Sequence, residues 1–158
     1  MARYAATVGL KAATTTNRGT ALPLPQDFAD MLGWEDQVCA VAQVYQSLPA
    51  DKRAQAVLVA SNYGQAGALE FFGPRHGLPR RVLLPGSALL WRPSPGDSHD
   101  VVVTVGISPE NLGRFLRAIR LVSRFDHPWM VDEERNVPIC VAETPYGNAR
   151  EVWAPRKR

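Results

Sequence analysis

The apolar positions of this chain follow two rhythms, unbroken runs and stripes spaced three and four residues apart. Ala56-Val57-Leu58-Val59-Ala60 is an unbroken run, the pattern of a strand covered on both faces in a parallel sheet. Asp100 through Val105 is nearly all valine and reads as the strongest strand. Arg81-Val82-Leu83-Leu84 reads as another. The second rhythm begins at Glu35, where Val38, Val41, Tyr45 and Leu48 lay one apolar stripe along a helix that reaches Ser47. Glu35 and Asp36 sit in its first turn, where the helix dipole favours negative charge, and Pro49 stops it.

Turn residues supply the connections. Residues 26–32 predict a short helix, ended by Gly33 in a left-handed cap. The stretch Ser61-Asn62-Tyr63-Gly64-Gln65-Ala66-Gly67 turns the first strand into a helix running through Phe72, which Gly73-Pro74 ends. With the strand at 81–84 this makes one β-α-β unit, for which a right-handed crossover is expected. Ser108 caps a helix whose first residue is Pro109, with Leu112, Phe115, Leu116 and Ile119 as its buried face. A strand over 119–125 alternates Ile119, Leu121, Ser123 and Phe125. Val137 to Ala142 is the last strand, which Pro138 places at an edge. Ala88-Leu89-Leu90-Trp91, among prolines and glycines, reads either as a short strand or as a packed loop.

The first 25 residues form an approach segment: Thr14 through Thr20 lacks periodicity, and Pro23 and Pro25 forbid a regular element. Residues 26–158 then form one α/β domain, layered around a mostly parallel sheet with an antiparallel edge made by the closing strands. A chain of 158 residues is the size of one ordinary domain and can build a core without metal or disulfide.

Charge changes this picture little. The net charge is +3, and the basic residues are scattered, so nucleic acid is not an expected partner. Cys39 and Cys140 fit no metal spacing; they read as small buried hydrophobes, with a disulfide between them as the alternative. No window approaches the roughly 20 apolar residues of a membrane span, and Arg3 precedes no apolar region of a signal peptide.

Candidate chemistry gathers where parallel sheets usually bind ligands, beyond the carboxyl ends of the strands. Two loops lie there, 61–67 and Gly106-Ile107-Ser108, both feeding helix N-termini that could hold an anion. Asn62, Tyr63, Gly64, Gln65, Gly67 and Ser108 are the candidate ligand-binding residues, for a phosphate or a sugar. The alternative is structural: Gly64 permits the tight turn and Gly67 the packing of helix on sheet. Asn62 stands where a dinucleotide fingerprint has its first glycine, and no phosphate-loop lysine follows. Ser87 lacks the second glycine of an esterase elbow, and His76, His99 and His127 are isolated in loops. Glu70 reads as a buried acid or a surface residue, and Asp132, Glu133 and Glu134 as an acidic run facing water. No catalytic constellation, metal site or cofactor is expected.

Several stretches resemble one family. They are Tyr4-Ala5, Val8-Gly9-Leu10, Leu24 through Glu35, Ala60 through Leu69, Phe72-Gly73-Pro74, Asp100-Val101-Val102 and Glu134 through Ile139. Together they resemble the C-terminal soluble domain of membrane glycosyltransferases similar to protein O-mannosyltransferases and the lipid A aminoarabinose transferase. The likeness spans nearly the whole chain and departs in the middle. There the family carries a Gly-His-Asn-type segment before Leu-Trp, whereas Pro85-Gly86-Ser87-Ala88-Leu89-Leu90-Trp91 keeps only the last pair. The resemblance implies a non-catalytic accessory domain on the extracytoplasmic side of a bacterial membrane. Its implied partners are the parent enzyme's membrane domain and a sugar or lipid-phosphate ligand. The family's catalytic acids lie in that other domain and map onto no residue here.

Overall fold

Five valine-rich or alanine-rich residues in a row cannot hide their side chains against one surface, because alternate residues of a strand point to opposite faces. The fold answers by covering both faces of the sheet. The computed structural model describes residue 7 and residues 24–80, 82–84 and 100–143. The elements are α1 (Gln26–Ala29), α2 (Trp34–Gln46), α3 (Ala50–Ala54), β1 (Ala56–Ala60), α4 (Tyr63–Phe72), β2 (Val82–Leu83), β3 (Val101–Val105), α5 (Pro109–Leu112), β4 (Arg117–Phe125) and β5 (Val137–Glu143). α4 ends at Phe72, as expected, and a short 3-10 turn, Gly73–His76, follows it.

The five strands make one sheet in the order β2-β1-β3-β5-β4. β1 pairs in parallel with β2 and with β3, whereas β5 runs antiparallel to both β3 and β4. The α/β architecture with a mostly parallel sheet is thus the observed one, the antiparallel pairing coming from the closing strands. On one face Leu58, Val103, Val105, Ile139 and Val141 meet Val38 and Val41 of α2 and Leu69 of α4. On the other, Val57, Val59, Val102, Cys140 and Ala142 pack against Leu112 and Leu116. Leu58, Val59, Val102 and Ile139 are completely buried, each worth roughly 1.5–3 kcal/mol relative to exposure. The α2 stripe buries Val38, Val41 and Leu48 as its spacing requires.

Two sequence expectations are corrected. β5 is an interior strand, despite Pro138. In a strand a residue's N–H and C=O point to the same side, and the Pro138 carbonyl accepts from Gly106 N at 2.9 Å. The missing N–H would therefore face the β3 side as well, where β3 has already ended at Val105 opposite Ile139. At most the last bond of the ladder, opposite Gly106, is lost, so the proline is tolerated inside the sheet. Second, the Ser108 helix is only Pro109–Leu112: the N–H groups of Phe115 and Leu116 both turn back to the Leu112 carbonyl, Phe115 is left exposed, and β4 begins at Arg117. The two cysteines are free, as first read, with Cys140 buried and Cys39 only partly so. Cys140 belongs to the core on the α5 face of the sheet, whereas Cys39 rides on α2, which covers the opposite face. Burial pushes the Cys140 thiol above its ordinary range. Ser87, His99 and the Ala88-to-Trp91 segment lie outside the described residues.

Candidate functional site

β1 ends at Ala60, but the ladder reaches one residue further, since Ser61 N donates to the Val105 carbonyl at 3.0 Å. Asn62 then adopts extended backbone and caps α4, its side-chain oxygen accepting from Gln65 N at 2.9 Å. An asparagine is well suited here because its short amide satisfies a helix-start N–H that has no intrahelical acceptor. Gln65, one turn in, points back beneath the turn and is buried. Its Oε1 accepts from Ser61 N at 3.1 Å and from Ser61 Oγ at 2.8 Å.

The remaining amide hydrogens find a carboxylate from far along the chain. Asn62 Nδ2 donates to Glu134 Oε1 at 2.7 Å, and Gln65 Nε2 donates to Glu134 Oε2 at 3.0 Å. Gly106 closes the third side at a left-handed φ of 80°. A Cβ built there would collide with Ser61 Oγ and both terminal atoms of Gln65, so only glycine fits on conformation and on space. The turn after β1 and the segment before β5 are thereby tied into one polar clasp at the carboxyl end of the parallel strands, with the turn after β3 packed against it.

Of the residues expected to bind a ligand, Asn62 and Gln65 belong to this clasp. Tyr63 projects outward, 76% exposed. Gly64 is required by packing, since a Cβ there would stand 2.8 Å from the Trp34 ring. Gly67 faces open space, with nothing within 4 Å of a would-be Cβ, so it serves no helix-on-sheet contact. Ser108 caps the four-residue α5, its Oγ accepting from Asn111 N at 3.4 Å, and makes its bonds apart from the clasp. The Glu110 backbone N–H and then the Ser108 hydroxyl hold the Glu110 carboxyl below its ordinary range.

Glu134 was expected to face water with its acidic neighbours; instead it is half-buried, with both oxygens engaged. Its place in a polar run gave no hint of this, for the partner amides lie some seventy residues earlier. Glu70 is exposed. His76 Nε2 stands 3.6 Å from Glu35, and His127 Nε2 stands 3.9 Å from Asp36, so both lie among surface carboxylates. Among the described residues no three His, Cys, Asp or Glu side chains cluster as metal ligands, and no helix is long and apolar enough to cross a membrane.

The chemistry available to the clasp follows from its bookkeeping of donors and acceptors. Each amide hydrogen or oxygen named above already has a partner within the chain, and a carboxylate stands beside the first turn of α4. A bound phosphate there would meet Glu134's charge in addition to the helix N–H groups. No family model, curated protein or solved structure matches this chain.

Proposed function

We propose that the chain is a non-catalytic accessory domain of a membrane glycosyltransferase that uses a polyprenyl-phosphate sugar, acting on the extracytoplasmic side in acceptor recognition or in packing on the membrane domain. Its resemblance to the soluble domains of such enzymes motivates the reading. The observation that carries it is the clasp. The stretch from Ala60 to Leu69, one of the longest carrying the resemblance, uses its polar side chains to tie the turn after β1 to Glu134, with Gly106 packed closely against them. That is what a scaffold needs. A free-standing phosphate-binding module is the less favoured reading, because Glu134 already supplies negative charge beside α4.

The decisive assay incubates the isolated chain with a polyprenyl-phosphate sugar donor and candidate acceptors. No transfer is expected, and turnover at a useful rate would sink the proposal. The coding sequence upstream of Met1 gives an independent check, since the reading requires a run of hydrophobic helices there. Amide spectra recorded with sugar phosphates address the rival: shifts at Gly64, Gly67 and Ser108 would favour the binding module.

A further inference from the structure

At the end of the sheet opposite the clasp lies a cleft of about 330 Å³, lined by Leu48, Pro49, Lys52, Val101, Ala118, Arg120, Val141 and Glu143. Its apolar wall comes from the last turn of the α2 stripe and from the edges of β3 and β5. Its charges come from Lys52 on α3, Arg120 on β4 and Glu143 at the end of β5. Lys52 Nζ lies 2.7 Å from Glu143 Oε1, and both side chains are about half exposed. The Glu143 hydrogen bond and charge raise the Lys52 pKa above its ordinary value, while Arg120 opposes them.

Arg120 reaches this cleft only because of an irregularity in β4. Arg117 stands opposite Glu143 and Arg120 opposite Val141, so β4 advances three residues while β5 advances two. In a regular strand residues three apart point to opposite faces. The extra residue is a β-bulge, and at it Ala118 takes a left-handed φ of 50°, unusual for a residue with a Cβ. The bulge turns Arg120 onto the same face as Arg117, the face that also carries Val141. Backbone held in such a conformation costs on the order of 1 kcal/mol and persists where its surroundings fix it. Here it brings a second cation beside a single carboxylate, over an apolar floor. Asp51, within electrostatic reach of Lys52, lies outside the lining.

We propose that this cleft binds an amphipathic anion, a phosphate or carboxylate head on a short apolar stem. The head takes the place between Lys52 and Arg120, whose guanidinium offers paired donors, and the stem lies along Leu48, Val101 and Val141. The volume falls in the range of small-ligand sites. The inference does not rest on the proposed accessory role, because it concerns the other end of the sheet and is read by binding rather than by transfer.

The test is a titration of the full chain with hexyl phosphate, followed by NMR, with inorganic phosphate, hexanoate and hexanol as separate arms. Hexyl phosphate is expected to shift Leu48, Val101, Val141 and Arg120 and to bind at least about tenfold more tightly than hexanol or inorganic phosphate. Hexanoate binding alongside it generalises the head group to carboxylate; hexanoate silence restricts the site to phosphate and overturns the carboxylate half. Arg120→Gln, at an exposed position, should fold normally and weaken binding about tenfold. No shifts at millimolar hexyl phosphate, shifts centred on Gly64 instead, hexanol binding as well as hexyl phosphate, or undiminished affinity in Arg120→Gln would each overturn the proposal.

Discussion

The two ends of this sheet are built from similar ingredients to opposite effect. At the carboxyl end of the parallel strands, one carboxylate, Glu134, meets two neutral amides, and the donors and acceptors close on each other. At the other end, one carboxylate, Glu143, pairs with Lys52, and a second cation, Arg120, lines the same open cleft. The first arrangement holds the fold together; the second leaves room for another molecule. Loops at the carboxyl ends of strands are the usual place to look for a ligand, yet here that place is occupied by the chain itself.

Substitutions can separate the two ends. Gly106→Ala should be the most damaging, since it forces a Cβ into a left-handed position and into Ser61 and Gln65. A loss of about 3 kcal/mol in chemical denaturation is expected, from backbone strain together with broken hydrogen bonds. Glu134→Ala leaves Asn62 Nδ2 and the buried Gln65 Nε2 without their acceptor and should cost about 2 kcal/mol. If either variant unfolds at the same denaturant concentration as the parent, the clasp is not structural. Gly67→Ala works in the other direction. It fills open space on an exposed helical face and should stabilise the chain by about 1 kcal/mol. A destabilised Gly67→Ala would restore a packing role to that glycine.

The smallest effect lies beside the clasp and depends on pH. Arg135 grips Asp126 through two hydrogen bonds, at 2.9 and 2.7 Å, and Asn136 N adds a third. The Arg135 bond first, then that of Asn136, lowers the Asp126 pKa from 3.8 to about 2. A lowered folded-state value means the stabilisation is fully present above 3.8 and is lost as pH falls through about 2. Asp126→Asn should flatten the stability profile across that acid window and leave it unchanged in shape near neutrality. An unaltered acid limb would show that this exposed pair contributes nothing. At the opposite end, Arg120→Gln should leave thermal stability unaltered while changing ligand affinity, which is the contrast in its sharpest form.

Much of the scaffold was legible because its signals are local. The run at 56–60, the valine strand and the α2 stripe each name their own element, and the glycine-bearing turn after Ser61 marks the start of α4. What escaped is what depends on distant partners. Glu134 looks like any surface acid until the fold brings it to Asn62. Pro138 suggested an edge, and only the early end of β3 makes it harmless inside the sheet. The bulge at Ala118 leaves no mark in the sequence, because alanine is an ordinary strand-side residue and its left-handed backbone is imposed by register. The arginines of β4 were read simply as scattered charge.

Those arginines bear on solubility as well. β4 is the longest of the described strands, lies at one border of the sheet and has no buried residue. A strand of that kind, with Leu121 and Val122 exposed, is a template on which further chains could add and begin aggregating. Arg117, Arg120 and Arg124 punctuate it with positive charge, and a second copy aligning along it would bring its own arginines against them. The strand that leans a cation toward the cleft therefore also discourages growth from its open border, and neutralising all three arginines should lower the concentration at which the protein precipitates.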